Sequence, residues 1–257
     1  MTNVFAMRLF LVSFPTSIVI LSMFALLGVA LSTTLTPALS QPSNFNHYSL
    51  NDQPLGKPYG YWLTKFWDWW GNVGIDDTPT SKDYPCYHSS LENSTANGVI
   101  FLVDVLTIGR NVQYDCTIPA NQSLLIPLVE SEYDTGTQSY EHASDQTLLD
   151  AATALDNGPS FVVKIDGTEV PKQFIDRVQS PFWNATWKDK NQFESKPGAF
   201  RAVAEGFWLF LKPLSPGMHT ISYSASSPKY SGNVPIGATE GSATYKVFVN
   251  SSKASEK

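Results

Sequence analysis

Apolar and polar positions along the chain fall into three successive patterns. Residues 9–35 are an uncharged apolar run, preceded by Arg8 and followed by Ala38, Leu39 and Ser40. In 59–73, Trp62, Phe66, Trp69 and Val73 recur at helical spacing beside a second stripe of Leu63, Trp67 and Trp70. This predicts an amphipathic helix ended by Gly71 or Gly74. From Gly98 onward the period is that of strands. Segment 99–106 is a short apolar run, 111–118 alternates around Cys116, and 123–129 is apolar again after a Pro119-Ala120-Asn121 turn. A second helix is predicted over 144–157: Ser144 is a good N-cap, Leu148, Leu149, Ala152 and Leu155 share a face, and Asn157-Gly158-Pro159 stops the pattern. Residues 161–165 and 168–170 flank Asp166-Gly167, a pair that tolerates the positive φ angles of a tight hairpin. A further hairpin is expected from 206–211 through Ser215-Pro216-Gly217 into 219–223, and 244–249 closes the series as a last strand. The pattern predicts a mainly β fold over 59–250: a β-sandwich of jelly-roll or immunoglobulin-like kind, with one N-terminal aromatic helix and one inserted helix. Residues 41–58, polar and broken by prolines, read as a linker or extended arm, and 251–257 as a disordered tail.

The apolar start sets the expected location. One cation, an apolar stretch and small residues at alternate positions before Gln41 make 1–40 an export signal. The run is also long enough for a retained anchor, in which 9–35 spans a membrane uncleaved. Pro15 and the Ser/Thr-rich stretch before Pro37 shorten the best helical span and favour cleavage. With Arg8 inside and no further basic residue until Lys57, both alternatives place the bulk of the chain outside the cytoplasm, secreted or at the cell surface.

Charge and cysteines narrow the partners. The chain holds 17 basic and 23 acidic residues, a formal charge of −6; removal of 1–40 takes away Arg8 alone and leaves −7. The Lys and Arg are scattered among acids, whereas nucleic acid demands a clustered positive surface, so nucleic acid is not an expected partner. Cys86 and Cys116 are the only cysteines, and in an oxidising compartment they are expected to form one disulfide. Closing that loop stabilises the fold by about 3–4 kcal/mol on the chain-entropy argument. Cys86-Tyr87-His88 raises a metal site as the alternative. A blue-copper centre, however, needs a second His and usually a Met spaced after its Cys, and Met218-His219 are adjacent and far from Cys116. Four glycosylation sequons stand at Asn93, Asn121, Asn184 and Asn250; if used, they must be exposed.

Candidate chemistry is sparse. Asp134-Thr135-Gly136 matches the aspartic-protease triplet, but it occurs once, and paired carboxylates need two; it reads as a surface turn. Glu130, Glu132, Asp134, Glu141 and His142 fall in a predicted loop between a strand and a helix. There they would act as acid and base or bind calcium or another hard cation; the alternative is a solvated acidic loop. Trp183, Trp187 and Phe193 follow in a polar, irregular stretch, as a surface for stacking on sugar rings or as cover for a core edge. His219, on a strand after a Pro-Gly turn, reads as structural.

Several of these features occur together in a way that resembles an uncharacterised family of exported microbial proteins. They are the Trp-rich helix, the two cysteines with the second in Cys116-Thr117-Ile118-Pro119-Ala120, the strand ending at Ile126-Pro127, the Asp-Gly hairpin, Arg177-Val178-Gln179-Ser180-Pro181, and the Leu-Ser-Pro-Gly-x-His-Thr-Ile segment from Leu214 to Ile221. The resemblance covers nearly all of the chain after 1–40 and implies a secreted single domain, with no catalytic residues to carry over. Three functions follow as expectations. The first is a non-enzymatic module that binds a glycan or an envelope protein. The second is a secreted hydrolase or cation-dependent enzyme acting on extracellular polymer through 130–142. The third is a structural envelope component held by 9–35. Two carboxylates converging in a cleft at about 5–10 Å would favour the second.

Overall fold

A computed structural model describes residues 45–72, 87–89, 98–103, 111–154, 158–191, 193, 195–227 and 240–251. Residues 1–40, Cys86 and Asn93, on which the export signal, the disulfide and one sequon rest, lie outside the described residues. The chain is mainly β, and its described residues form two sheets and two α-helices.

Helix α1 (Tyr59–Trp70) starts after Pro58, whose ring fixes a helix-compatible entry, and ends where the Gly71 N–H donates to the Trp67 carbonyl at 2.8 Å. Sheet 1 holds β1 (Tyr87–Ser89), β2 (Gly98–Phe101), β4 (Gln122–Asp134), β9 (Gly198–Leu211) and β7 (Asp176–Gln179) in that order, with β8 (Trp183–Trp187) also paired to β9. Sheet 2 holds β3 (Asn111–Ile118), β11 (Glu240–Val249), β10 (Gly217–Ser226), β5 (Ser160–Ile165) and β6 (Thr168–Glu169). The β2–β4 and β3–β11 pairs are parallel and the rest antiparallel. The Asp166-Gly167 turn between β5 and β6 takes φ of 51° and 79°, as a primed turn requires.

Side chains alternate across a strand, so ring contacts assign the faces of β9. Trp208 meets Phe66 at a centroid distance of 5.0 Å, and Phe210 meets Tyr59 at 5.2 Å, so this face of sheet 1 lies under α1. Phe207 meets Phe161 of β5 at 5.3 Å and faces sheet 2. The aromatic helix therefore covers a face of the sheet. Two tyrosines of sheet 2 tie in the strand end after β2: Tyr223 Oη donates to the Val103 carbonyl at 2.7 Å, and the Val103 N–H donates to Tyr245 Oη at 3.0 Å. Residues 45–58 form an arm laid on the sheet. His47 bridges Leu211, the Tyr48 N–H donates to the Phe210 carbonyl at 2.8 Å, and Trp62 Nε1 donates to the Pro54 carbonyl at 3.0 Å.

Helix α2 (Asp145–Thr153) is capped by Ser144, whose side chain accepts from the Thr147 N–H at 3.1 Å, and its Leu148 and Ala152 pack on Val203. It runs to Thr153, and residues 155–157 of the expected span lie outside the described residues. The hairpin expected between 206–211 and 219–223 does not form, because β9 and β10 belong to different sheets and the link at 212–216 crosses between them. Burial explains the separation. β9 is covered on both faces over most of its length and takes a central place in the helix-covered sheet, whereas β10 alternates and keeps one face in solvent.

Candidate functional site

Among the described residues, besides a chain in which His219 Nδ1 lies 2.8 Å from Asp166 Oδ2 and Nε2 lies 3.3 Å from Ser215 Oγ, two places bring polar chemistry together. The first begins on β4. A register shift between Pro127 and Val129 marks a β-bulge, after which Glu130, Glu132 and Asp134 pair with Gly206, Ala204 and Ala202 of β9. Directly paired residues share a face, so the three carboxylates stand on the side of Trp208 and Phe210, beneath α1. They belong to a strand, not to the expected loop. Glu141 and His142 do not join them: both are exposed in the turn between β4 and α2.

Each carboxylate has a different situation. Asp134 is buried, and its oxygens are committed: Oδ2 accepts from Trp187 Nε1 at 2.7 Å, and Oδ1 accepts the N–H of Gly136 at 2.5 Å and of Thr137 at 3.0 Å. The Asp-Thr-Gly triplet is thus a turn whose aspartate points inward to hold it, where a surface carboxylate was expected. Replacing Asp134 by alanine strands one indole and two backbone donors and is expected to cost about 2–4 kcal/mol in a urea titration, with a smaller loss for Asp134→Asn. Glu130 is buried. Glu132 has one oxygen, Oε1, buried without a hydrogen-bond partner among the described residues. Burial first, then the charges of Asp134 and Asp68, hold its pKa well above the ordinary carboxylate range.

Asp68 is the contribution of the helix, and the sequence reading missed it. It accepts from Trp183 Nε1 at 3.0 Å and lies 3.5 Å from Lys65 Nζ. The available signal was its isolation, as the only acid in an otherwise aromatic helix. The expected contact residues also fall into this layer. Trp183, Ala185 and Trp187 of β8 turn the same way, Trp187 is 1% exposed, and Phe193 packs on Trp187 and Trp67 at 5.1 and 5.9 Å. The Trp183 ring is half-buried. What was expected to be an irregular aromatic loop is a strand, because alternate apolar positions close the edge under the helix.

A glutamate whose charge is disfavoured by burial, beside a committed aspartate, resembles an acid–base pair, and residues two apart on a strand are about 6.6–6.8 Å apart. Yet α1 lies over the row, where Asp68 accepts from Trp183 Nε1 and Asp134 from Trp187 Nε1. Among the described residues no group of three His, Cys, Asp or Glu side chains could hold a metal ion.

The second place is an open groove of about 620 Å³ at one end of sheet 2. It lies where β5 and β11 begin and β10 finishes, next to the start of β3. Its lining includes Asn111, Ser160, Phe161, Ser226, Glu240 and Ser242. Ser160 and Ser226 hydrogen-bond across the strands at 2.7 Å, and Ser242 Oγ donates to Asn111 Oδ1. Nothing in the sequence pointed here, because single polar residues from four strands meet only through register. Of the sequons, Asn121, Asn184 and Asn250 are exposed.

No protein-family model matches the chain, and no characterised protein matches it in sequence. Among solved structures it is similar to a cysteine protease inhibitor from Entamoeba histolytica, EhICP2, with 16% identity over 55% of this chain and 97% of that chain and a TM-score of 0.21. It is also similar to PbICP-C, solved in complex with falcipain-2, with 14% identity over 59% and 98% and a TM-score of 0.23. A third is Amebosin, with 12% identity over 55% and 97% and a TM-score of 0.20. Likeness at this level carries no argument about what the chain binds.

Proposed function

We propose that the protein is an exported, non-enzymatic binding module whose ligand is a neutral glycan held in the groove at the end of sheet 2. The carrying observation is the groove lining. Hydroxyl and amide side chains from four strands, with the exposed Val162 beside them, match the hydroxyls and apolar ring faces of a sugar, and Glu240 is the only ionisable group among the described lining residues. Among the described lining residues Glu240 is the one carboxylate, whereas glycoside cleavage uses a pair. The apolar start with Arg8 supports export, and three exposed sequons are compatible with an outside location. Cys116 is not a free thiol, which supports its pairing with Cys86.

The test is binding to an array of neutral glycans by the chain recovered from its host, with its intact mass recorded before and after reduction. Asn111→Ala and Val162→Ser are expected to weaken glycan binding by about tenfold or more. A chain that binds no neutral glycan overturns the proposal.

One observation favours the hydrolase: the raised Glu132 beside Asp134. Polymer cleavage lost on Glu132→Gln would establish that reading and remove the one proposed.

A further inference from the structure

We infer that the groove is the end of a longer track along the outward face of sheet 2, and that the ligand is a polymeric chain of neutral sugars rather than a single sugar. This rests on the glycan reading and adds to it the length and path of the ligand. On β10 the outward positions are Met218, Thr220, Ser222, Ser224 and Ser226, flanked by Thr244 and Ser242 of β11 in direct register with Ser222 and Ser224. Ser224 and Ser226 also line the groove, so the hydroxyl row leads out of it without a break. From Ser226 to Met218 the strand rises about 27 Å, far longer than one sugar ring.

Two properties of this face select a neutral polymer. Its lysines are neutralised in register: Lys164 stands opposite Glu169, and Lys246 opposite Asp115. The face therefore offers no positive field to an acidic polysaccharide. Of the four exposed large apolar side chains among the described residues, Met218 (63%), Phe248 (43%) and Val162 (40%) are all on it. Met218 and Phe248 are directly paired at the end remote from the groove, and Val162 lines the groove itself. Single exposed apolar residues need no explanation, but apolar contacts at both ends of a neutral hydroxyl row suit sugar rings that stack at each end.

The test is calorimetric titration of the full exported chain with cello-, laminari- and chito-oligosaccharides, each as disaccharide and hexasaccharide. The hexasaccharide of the recognised series is expected to bind about tenfold or more tightly than its disaccharide, and Phe248→Ser and Met218→Ser to erase that gain. Both substitutions remove exposed side chains, so an unchanged thermal midpoint confirms that the variants fold. If the hexasaccharide binds no tighter, or keeps its advantage in the Phe248→Ser chain, the track is overturned and the groove reading stands. If no sugar in the panel binds to the chain, the track falls together with the glycan reading.

Discussion

Replacing Gly206 by valine is expected to leave little folded protein, with a loss of about 3 kcal/mol or more in a urea titration followed by tryptophan fluorescence. A Cβ on Gly206 would lie 2.4 Å from the Val129 carbonyl oxygen and 2.5 Å from both Cα and Cβ of Glu130. These obstacles are largely backbone, so no rotamer change relieves them; β4 and β9, the two longest strands, would have to part. The close approach follows from the bulge between Pro127 and Val129, which brings Glu130 over the β9 backbone on the α1 side. Gly206→Ala carries the same Cβ and is expected to be destabilised as well. A folded Gly206→Val chain with wild-type stability would show that the strands are not packed this closely.

Glu132→Gln is expected to do the opposite and stabilise the fold at neutral pH, on the order of 1 kcal/mol, the scale of a poorly placed buried polar group. The sign follows from proton binding. Glu132 ionises near its ordinary value of 4.5 in the unfolded chain but well above it in the fold, where burial, Asp134 and Asp68 disfavour the charge. Between those two points the folded chain holds the extra proton, so stability falls as pH rises through that window. Below the ordinary value both states are protonated, and this contribution is fully retained. Glutamine carries no titrating proton and removes that slope. Urea titrations of both chains from pH 4 to 8 should therefore diverge with rising pH; parallel curves would show that Glu132 is already ionised in the fold. Because the groups facing Glu132 are Asp134 on its own strand and Asp68 on α1, with Glu130 next along β4, Asp68→Asn should raise stability at neutral pH in the same direction by a smaller amount.

Much of the element structure was legible along the chain, because it rests on period and local chemistry. The helical stripes of Trp62, Phe66 and Trp69, the Ser144 cap and the Asp166-Gly167 turn each act within a few residues of themselves. The site was less legible. Glu130, Glu132 and Asp134 follow an apolar strand and read as the start of a loop, since a run of acids next to an apolar segment normally marks exposure. They continue the strand because α1 and β8 supply cover and indole donors from far along the chain. The second hairpin failed for a related reason. Two strands joined by a short Pro-containing turn look like neighbours, and only the burial of both faces of β9 separates them.

By itself the sequence determined the mainly β class, the aromatic helix, the capped second helix and the tight β5–β6 turn, since helical spacing, caps and primed turns are decided within a few neighbouring residues. Only the tertiary structure decided which way the carboxylates point and where the polar groove lies. A one-residue bulge reverses the face of every later side chain on β4, and strand register assembles the groove from four separate segments. Both depend on long-range pairing, which local pattern does not encode.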